Sequence, residues 1–115
     1  MKKILLHLLL FASIIPASGQ NIETDELQRI LATHPQQDTF RANRLNELAA
    51  NTAIPYPEAE KFAAEALSIS RKTGYVNGEG YALANMGMAI LNQGNTKQGF
   101  LLIGQADSVA KKTSD

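Results

Sequence analysis

An eight-residue segment of this chain recurs forty residues further along. Residues 66–73 read ALSISRKT and residues 106–113 read ADSVAKKT, so side-chain type is kept at nearly every position. A fixed period of about 20–50 residues is typical of helical solenoids, in which each unit buries its apolar face against the next. The repeat therefore favours a protein that binds a partner over an enzyme.

The first nineteen residues have the layout of a secretory signal peptide. Two lysines follow Met1, residues 4–15 are almost entirely apolar, and residues 17–19 are small. The apolar run is shorter than the roughly 20 residues that cross a bilayer, and a short uncleaved anchor is the alternative. We expect an exported protein, periplasmic or extracellular in a bacterium, cut before Gln20 and without a membrane span in the mature chain.

Composition excludes several classes of function. Loss of Lys2 and Lys3 leaves nine of the eleven basic residues against eleven acidic ones, a net charge of −2. A nucleic-acid-binding protein usually presents a basic surface, so we expect no nucleic-acid partner. The absence of cysteine from the sequence excludes disulfides, thiolate metal sites and lipid attachment at a cysteine.

Helical periodicity and end signals run through the rest of the chain, and no stretch alternates long enough to predict a strand. Residues 20–37 are expected to hold a lead-in helix, capped by Asp25 and ended by Pro35. Further helices are predicted over 39–51, from Pro57 to about residue 73, over 79–93, and from residue 95 onward. Asp38 or Thr39 would cap the first of these.

Glycine and asparagine mark the predicted helix ends. Gly74 follows two basic residues and is expected to end a helix in the left-handed conformation. The dipeptide at residues 77–78, Asn-Gly, predicts a turn before the next helix. Gly94 is expected to end that helix, and Asn95 to cap the last one with Gln98 in capping-box position.

Residues 81–106 resemble a tetratricopeptide repeat (TPR). The positions that carry the resemblance are Met86, Gly87, Ile90, Gly94, Asn95, Gly99, Ile103 and Ala106. An earlier unit is similar, with Leu45, Leu48 and Ala49 in its first helix and Ala59, Ala63 and Ala66 in its second. The resemblance implies an all-α, antiparallel helix-hairpin solenoid of about two repeats, near 39–74 and 79–113 within 38–115, after the N-terminal helix.

The front of the chain has a narrower resemblance. Residues 38–41 and 45–49, after a signal peptide and a short acidic helix, are similar to the opening of certain bacterial signal-transduction proteins. In those proteins an exported repeat array precedes a membrane helix and a histidine kinase or helix-turn-helix output domain. The resemblance implies the front end of a longer sensor or scaffold.

The TPR resemblance also implies a binding surface on the concave face, lined by the first helix of each unit. The residues expected there are Tyr81, Ala84, Asn85, Met88, Leu91 and Asn92. Family members that grip a peptide carboxylate present lysine and asparagine, where this chain has Ala84 and Met88. An apolar peptide segment is therefore one expected ligand, and packing against neighbouring repeats is the alternative.

The last predicted helix is apolar around most of its circumference. Phe100, Leu101 and Leu102 lie in this stretch, although a terminal helix usually has a polar outer face. We expect a partner protein, further repeats of a longer chain, or a second copy to cover it. The two hypotheses are the truncated front of an exported sensor or scaffold, and a complete secreted module that dimerises or binds a peptide.

The sequence offers no constellation for catalysis or for a cofactor or metal. His34 is the one histidine expected in the mature chain, and its place before Pro35 predicts a solvated helix end. Glu58, Glu60 and Glu65 suit the positive end of a helix better than a paired-carboxylate site. The serines have no histidine placed to activate them. We therefore expect no enzyme activity.

Overall fold

A computed structural model describes residues 23–113 of the chain. Its helices are α1 over residues 23–33, α2 (Thr39–Ala50), α3 (Tyr56–Thr73), α4 (Val76–Asn92) and α5 (Thr96–Thr113). Residues 23–113 contain no strand, so the predicted all-α class is confirmed. The predicted signal peptide, residues 1–19, lies outside the described residues.

The helices pack as successive hairpins. α2 packs on α3, α3 on α4 and α4 on α5, and α2 also contacts α4, whereas neither α2 nor α3 reaches α5. Contacts confined to near neighbours along the chain are the mark of a solenoid. The core follows these interfaces, from Leu27 and Leu31 of α1 through Leu45 of α2 and Leu83 of α4 to Leu102 of α5.

The helix ends follow ordinary capping rules. The Asp38 carboxylate accepts a hydrogen bond from the backbone N–H of Arg41 at 3.0 Å. Gly74 ends α3 in the left-handed conformation, with φ 68°, a conformation that glycine adopts without steric cost. The Asn95 side chain accepts from the backbone N–H of Gln98 at 3.2 Å. These three predicted caps are confirmed.

Two predicted boundaries were wrong. α4 begins at Val76, so the Asn-Gly pair at 77–78 lies inside a helix and not in a turn. The reversal at Gly74 and Tyr75 is already sufficient, and Gly78 instead lets α4 approach α3 closely. A Cβ atom at Gly78 would lie 2.5 Å from the Ser70 hydroxyl oxygen. Asp25 is not an N-cap, because residues 23 and 24 are already helical.

The repeat seen in the sequence corresponds to the helices of the structure. α3 and α5 each have 18 residues, and α5 begins and ends forty residues after α3. For the first helices, the alignment predicted from the TPR resemblance pairs Leu48 with Met86 and Ala49 with Gly87, an offset of 38. These two offsets relate each position of the first unit, α2 and α3, to a position of the second unit, α4 and α5.

Candidate protein-binding grooves

α4 and α5 meet backbone to backbone at two glycines. A Cβ atom at Gly87 would lie 2.9 Å from the carbonyl oxygen of Gly99, and one at Gly99 would lie 2.9 Å from that of Gly87. Small residues are needed at this crossing, since any side chain would force the helices apart. The two glycines therefore set how closely α4 and α5 can pack.

The exposed side of this hairpin carries an open groove of about 550 Å³. We call it the terminal groove. Its walls come from the first half of α4 and the second half of α5, and they are mostly apolar. The lining residues are Val76, Asn77, Gly80, Tyr81 and Ala84 of α4, and Ile103, Ala106, Asp107, Val109, Ala110 and Thr113 of α5.

Charge in the terminal groove is confined to its α5 edge. The Asp107 carboxylate lies 3.1 Å from the ammonium group of Lys111 one turn later. Both side chains are largely exposed, so their attraction contributes little to stability. They leave an anion and a cation beside an otherwise apolar groove.

A second, smaller groove of about 280 Å³ lies between the end of α2 and the second half of α4. We call it the inner groove. Its lining residues are Ala49, Ala50, Thr52, Ile54, Tyr56, Ala59, Asn85, Met88, Ala89 and Asn92. Tyr56 and Met88 are each 49% exposed, so the groove offers both an aromatic and a flexible thioether surface.

The structure divides the predicted concave surface between these grooves. Tyr81 and Ala84 line the terminal groove, whereas Asn85, Met88 and Asn92 line the inner groove. Asn85 is also engaged, since its side-chain N–H groups donate to the backbone and side-chain oxygens of Asn46. Leu91 is half-buried, and its Cβ would be 2.8 Å from a Cβ placed at Gly99. Leu91 thus belongs to the α4–α5 contact.

The three predicted residues of α5 face different directions. Phe100 and Leu101 are exposed, whereas Leu102 is 6% exposed and belongs to the core. Leu102 is therefore not a surface residue, because successive residues of a helix are about 100° apart and this one points inward. Leu101 corresponds to the exposed Lys61 of the first unit. Phe100 corresponds to Glu60, which accepts a hydrogen bond from Gln93 at the end of α4.

Sequence reasoning missed a polar cluster that joins α1, α2 and α3. One guanidinium nitrogen of Arg41 donates to the carbonyl oxygens of Leu31 and His34, each at 2.9 Å. Its Nε donates to the Glu65 carboxylate at 2.6 Å. The side chain of Arg41 is only 16% exposed. These contacts satisfy carbonyl groups at the end of α1, so the role of Arg41 is structural.

His34 belongs to the same cluster and is half-buried, not solvated as predicted. Its Nε2 lies 2.9 Å from the Asp38 carboxylate, and its ring is tilted against that of Phe40 at 4.6 Å between centroids. The Arg41 backbone N–H, and next the His34 side chain, hold the pKa of Asp38 below its ordinary value. His34, Asp38 and Arg41 are absent from the lining of both the terminal and the inner groove.

The part of the chain that the structure describes gives no sign of a metal centre. Among residues 23–113, histidine and carboxylate side chains do not gather in groups of three or more that would suit a metal ion. Within the same range, no helix is long and apolar enough to traverse a lipid bilayer. Comparison with protein-family models, curated proteins and solved structures gave no match.

Proposed function

We propose that this chain is an exported, TPR-like protein-binding module of a sensor or scaffold, without catalysis of its own. The proposal is supported by the hairpin solenoid, by the two grooves and by the signal-peptide pattern of residues 1–19. Its partner is a protein or peptide with an apolar recognition surface, and it requires no cofactor or nucleic acid.

One observation carries the proposal. Tyr81 and Met88 are 67% and 49% exposed and line the terminal groove and the inner groove, respectively, while Phe100 of α5 is 60% exposed. Exposed large apolar side chains that line a concave surface are typical of a protein-binding site, whereas isolated ones need no explanation. Aromatic residues and methionine are also enriched in protein interfaces.

A second candidate function is self-association through α5. Phe100 is the observation that favours it, because a large aromatic ring faces outward on the last described helix. A dimer that buries this surface would unfold at a higher temperature as its concentration rises. A melting temperature independent of concentration would exclude this candidate.

The binding proposal is tested by site-specific crosslinking in cells that produce the protein. A photoreactive phenylalanine analogue at Met88 places the probe in the inner groove, and the same analogue at Gln105 provides an exposed control on α5 outside both grooves. We expect a discrete protein adduct from position 88 and none from position 105. Equal labelling from both positions, or none from either, would contradict the proposal.

Export requires a separate measurement. Mass spectrometry of the protein isolated from the periplasm or medium should give a chain that begins at Gln20, as the small residues at 17–19 predict. Recovery of the protein in the cytoplasm with residues 1–19 attached would exclude this part of the proposal.

A further inference from the structure

The first unit contains a filled version of the terminal groove. There, α4 lies against α2 and α3 and is held by polar contacts. Asn46 of α2 donates to the Gly78 carbonyl oxygen at 3.2 Å. Arg71 of α3 pairs with Glu79 at 2.9 Å. At the other end of α4, Gln93 donates to Glu60 at 2.8 Å.

The residues that hold α4 correspond to the terminal groove of the second unit. With the offsets of 38 and 40, Asn43 and Asn46 correspond to Tyr81 and Ala84, whereas Ser70 corresponds to Ala110. All three of these second-unit residues line the terminal groove. The groove is therefore the position that a helix equivalent to α4 would occupy one unit further along.

At two of the positions that contact α4 in the first unit, the second unit has a more apolar side chain. Glu60, the partner of Gln93, is replaced by Phe100. Ser70, whose buried hydroxyl has no hydrogen-bond partner beneath α4, is replaced by Ala110. A helix in the terminal groove would thus be held mainly by apolar contacts, whereas α4 has both apolar core contacts and these polar ones.

Charge is retained at one end of the groove. Arg71, which pairs with Glu79 in the first turn of α4, is replaced by Lys111, another basic residue. A carboxylate in the first turn of a bound helix would meet Lys111 in the same manner and would also suit the positive end of its own helix. Leu67 is replaced by Asp107, which favours a cation along the same helix.

From these correspondences we infer that the terminal groove binds an amphipathic helix of a partner chain, antiparallel to α5. This helix presents an apolar stripe, an acidic residue in its first turn towards Lys111 and a basic residue towards Asp107. A small residue lies where it crosses Ala110, as Gly78 does over Ser70. The inference rests on the proposed protein-binding function and names the class of partner.

The chain itself supplies the probe. A fluorescently labelled peptide with the sequence of residues 75–93 reproduces α4, and its binding to the purified protein is measured by fluorescence anisotropy. Since an isolated helix of this length is marginal in water, weak saturable binding is expected. A Gln93→Leu peptide should bind about two- to tenfold more tightly, because leucine would bury apolar surface on Phe100.

Protein variants locate the site. Ala110→Arg places a long charged side chain in the terminal groove and should weaken peptide binding by about tenfold or more. Gln105→Arg is the matched control, at an exposed position of α5 outside the terminal groove, and should change binding by less than about twofold. Both residues are exposed, and circular dichroism checks that each variant remains folded.

A Gly78→Leu peptide should lose binding, because the leucine side chain would collide with α5 at the crossing. Absence of saturable binding, or binding that Ala110→Arg leaves unchanged, would overturn the inference. A dimer seen by sedimentation velocity and broken by Ala110→Arg alone would assign the groove to a second copy and would also overturn it. If the crosslink from Met88 persists when the peptide fails, the binding-module proposal stands and only the helix inference falls.

Discussion

Replacing Gly87 by alanine has two effects of opposite sign on the free energy of unfolding. In a helix without steric constraint, glycine to alanine stabilises by about 0.5–1 kcal/mol because less backbone freedom is lost on folding. At Gly87 the new Cβ would lie 2.9 Å from the Gly99 carbonyl oxygen and 3.1 Å from the backbone nitrogen of Ile103. Backbone atoms cannot rotate away, so α5 must shift, and overpacking of this kind costs about 1–3 kcal/mol. The difference between the two effects is a net loss of up to about 2.5 kcal/mol.

Gly104→Ala is the matched control, in the helix that packs against Gly87. No atom lies within 4 Å of a Cβ placed there, and Gly104 is exposed. Only the backbone effect remains, so the free energy of unfolding of this variant should rise by about 0.5–1 kcal/mol. Urea unfolding followed by far-UV circular dichroism measures both changes. For a domain of this size, 1 kcal/mol corresponds to a shift in melting temperature of roughly 4–8 °C.

The opposite signs of the two variants are the decisive result. Gly87→Leu should be less stable than Gly87→Ala, since a larger side chain enters the same contact. If Gly87→Ala were as stabilising as Gly104→Ala, the two helices would be further apart than described.

Three further variants test the rest of the fold by the same urea titration. Arg41→Lys should lower the free energy of unfolding by about 1–3 kcal/mol, because an ammonium group cannot reach two carbonyls and Glu65 at once. An unchanged urea midpoint would show that the Arg41 cluster does not contribute to stability. Ser70→Ala should raise the free energy of unfolding by about 1 kcal/mol, because the buried hydroxyl is unpaired. A decrease would reveal that the Ser70 hydroxyl makes a hydrogen bond. Asp38, whose pKa is lowered in the folded state, stabilises above its unfolded pKa of about 3.9, and this is lost as the pH falls through its lower folded pKa. In Asp38→Asn the free energy of unfolding should therefore fall less steeply at acid pH than in the parent protein. A pH profile of stability identical to that of the parent would contradict this.

The helices could be predicted because their signals are local. Gly74, Asp38 and Asn95 each act within a few residues of their own position, so the sequence alone was sufficient to locate three helix ends. Gly78 was misread for the same reason. Its small size serves a contact with Ser70 of the preceding helix, and a contact between helices leaves no mark in the local pattern.

The surfaces were harder to predict than the helices. Family periodicity placed Tyr81 and Met88 on one concave face, but they line different grooves, because α5 lies beside the first half of α4 and the end of α2 lies beside the second half. Leu102 was expected at the surface because its neighbours are equally apolar, and only helix orientation separates it from Phe100. Arg41 was missed because its partners Leu31 and Glu65 are 10 and 24 residues away along the chain.

The outer face of α1 bears on how copies of this protein can assemble. Glu23, Glu26 and Arg29 are exposed there, and Glu26 and Arg29 form an ion pair. Head-to-tail stacking would press this charged, hydrated face into the apolar terminal groove, at the cost of desolvating its charges. Because these two faces of residues 23–113 are unlike and mismatched, they disfavour the open-ended contact from which filaments grow.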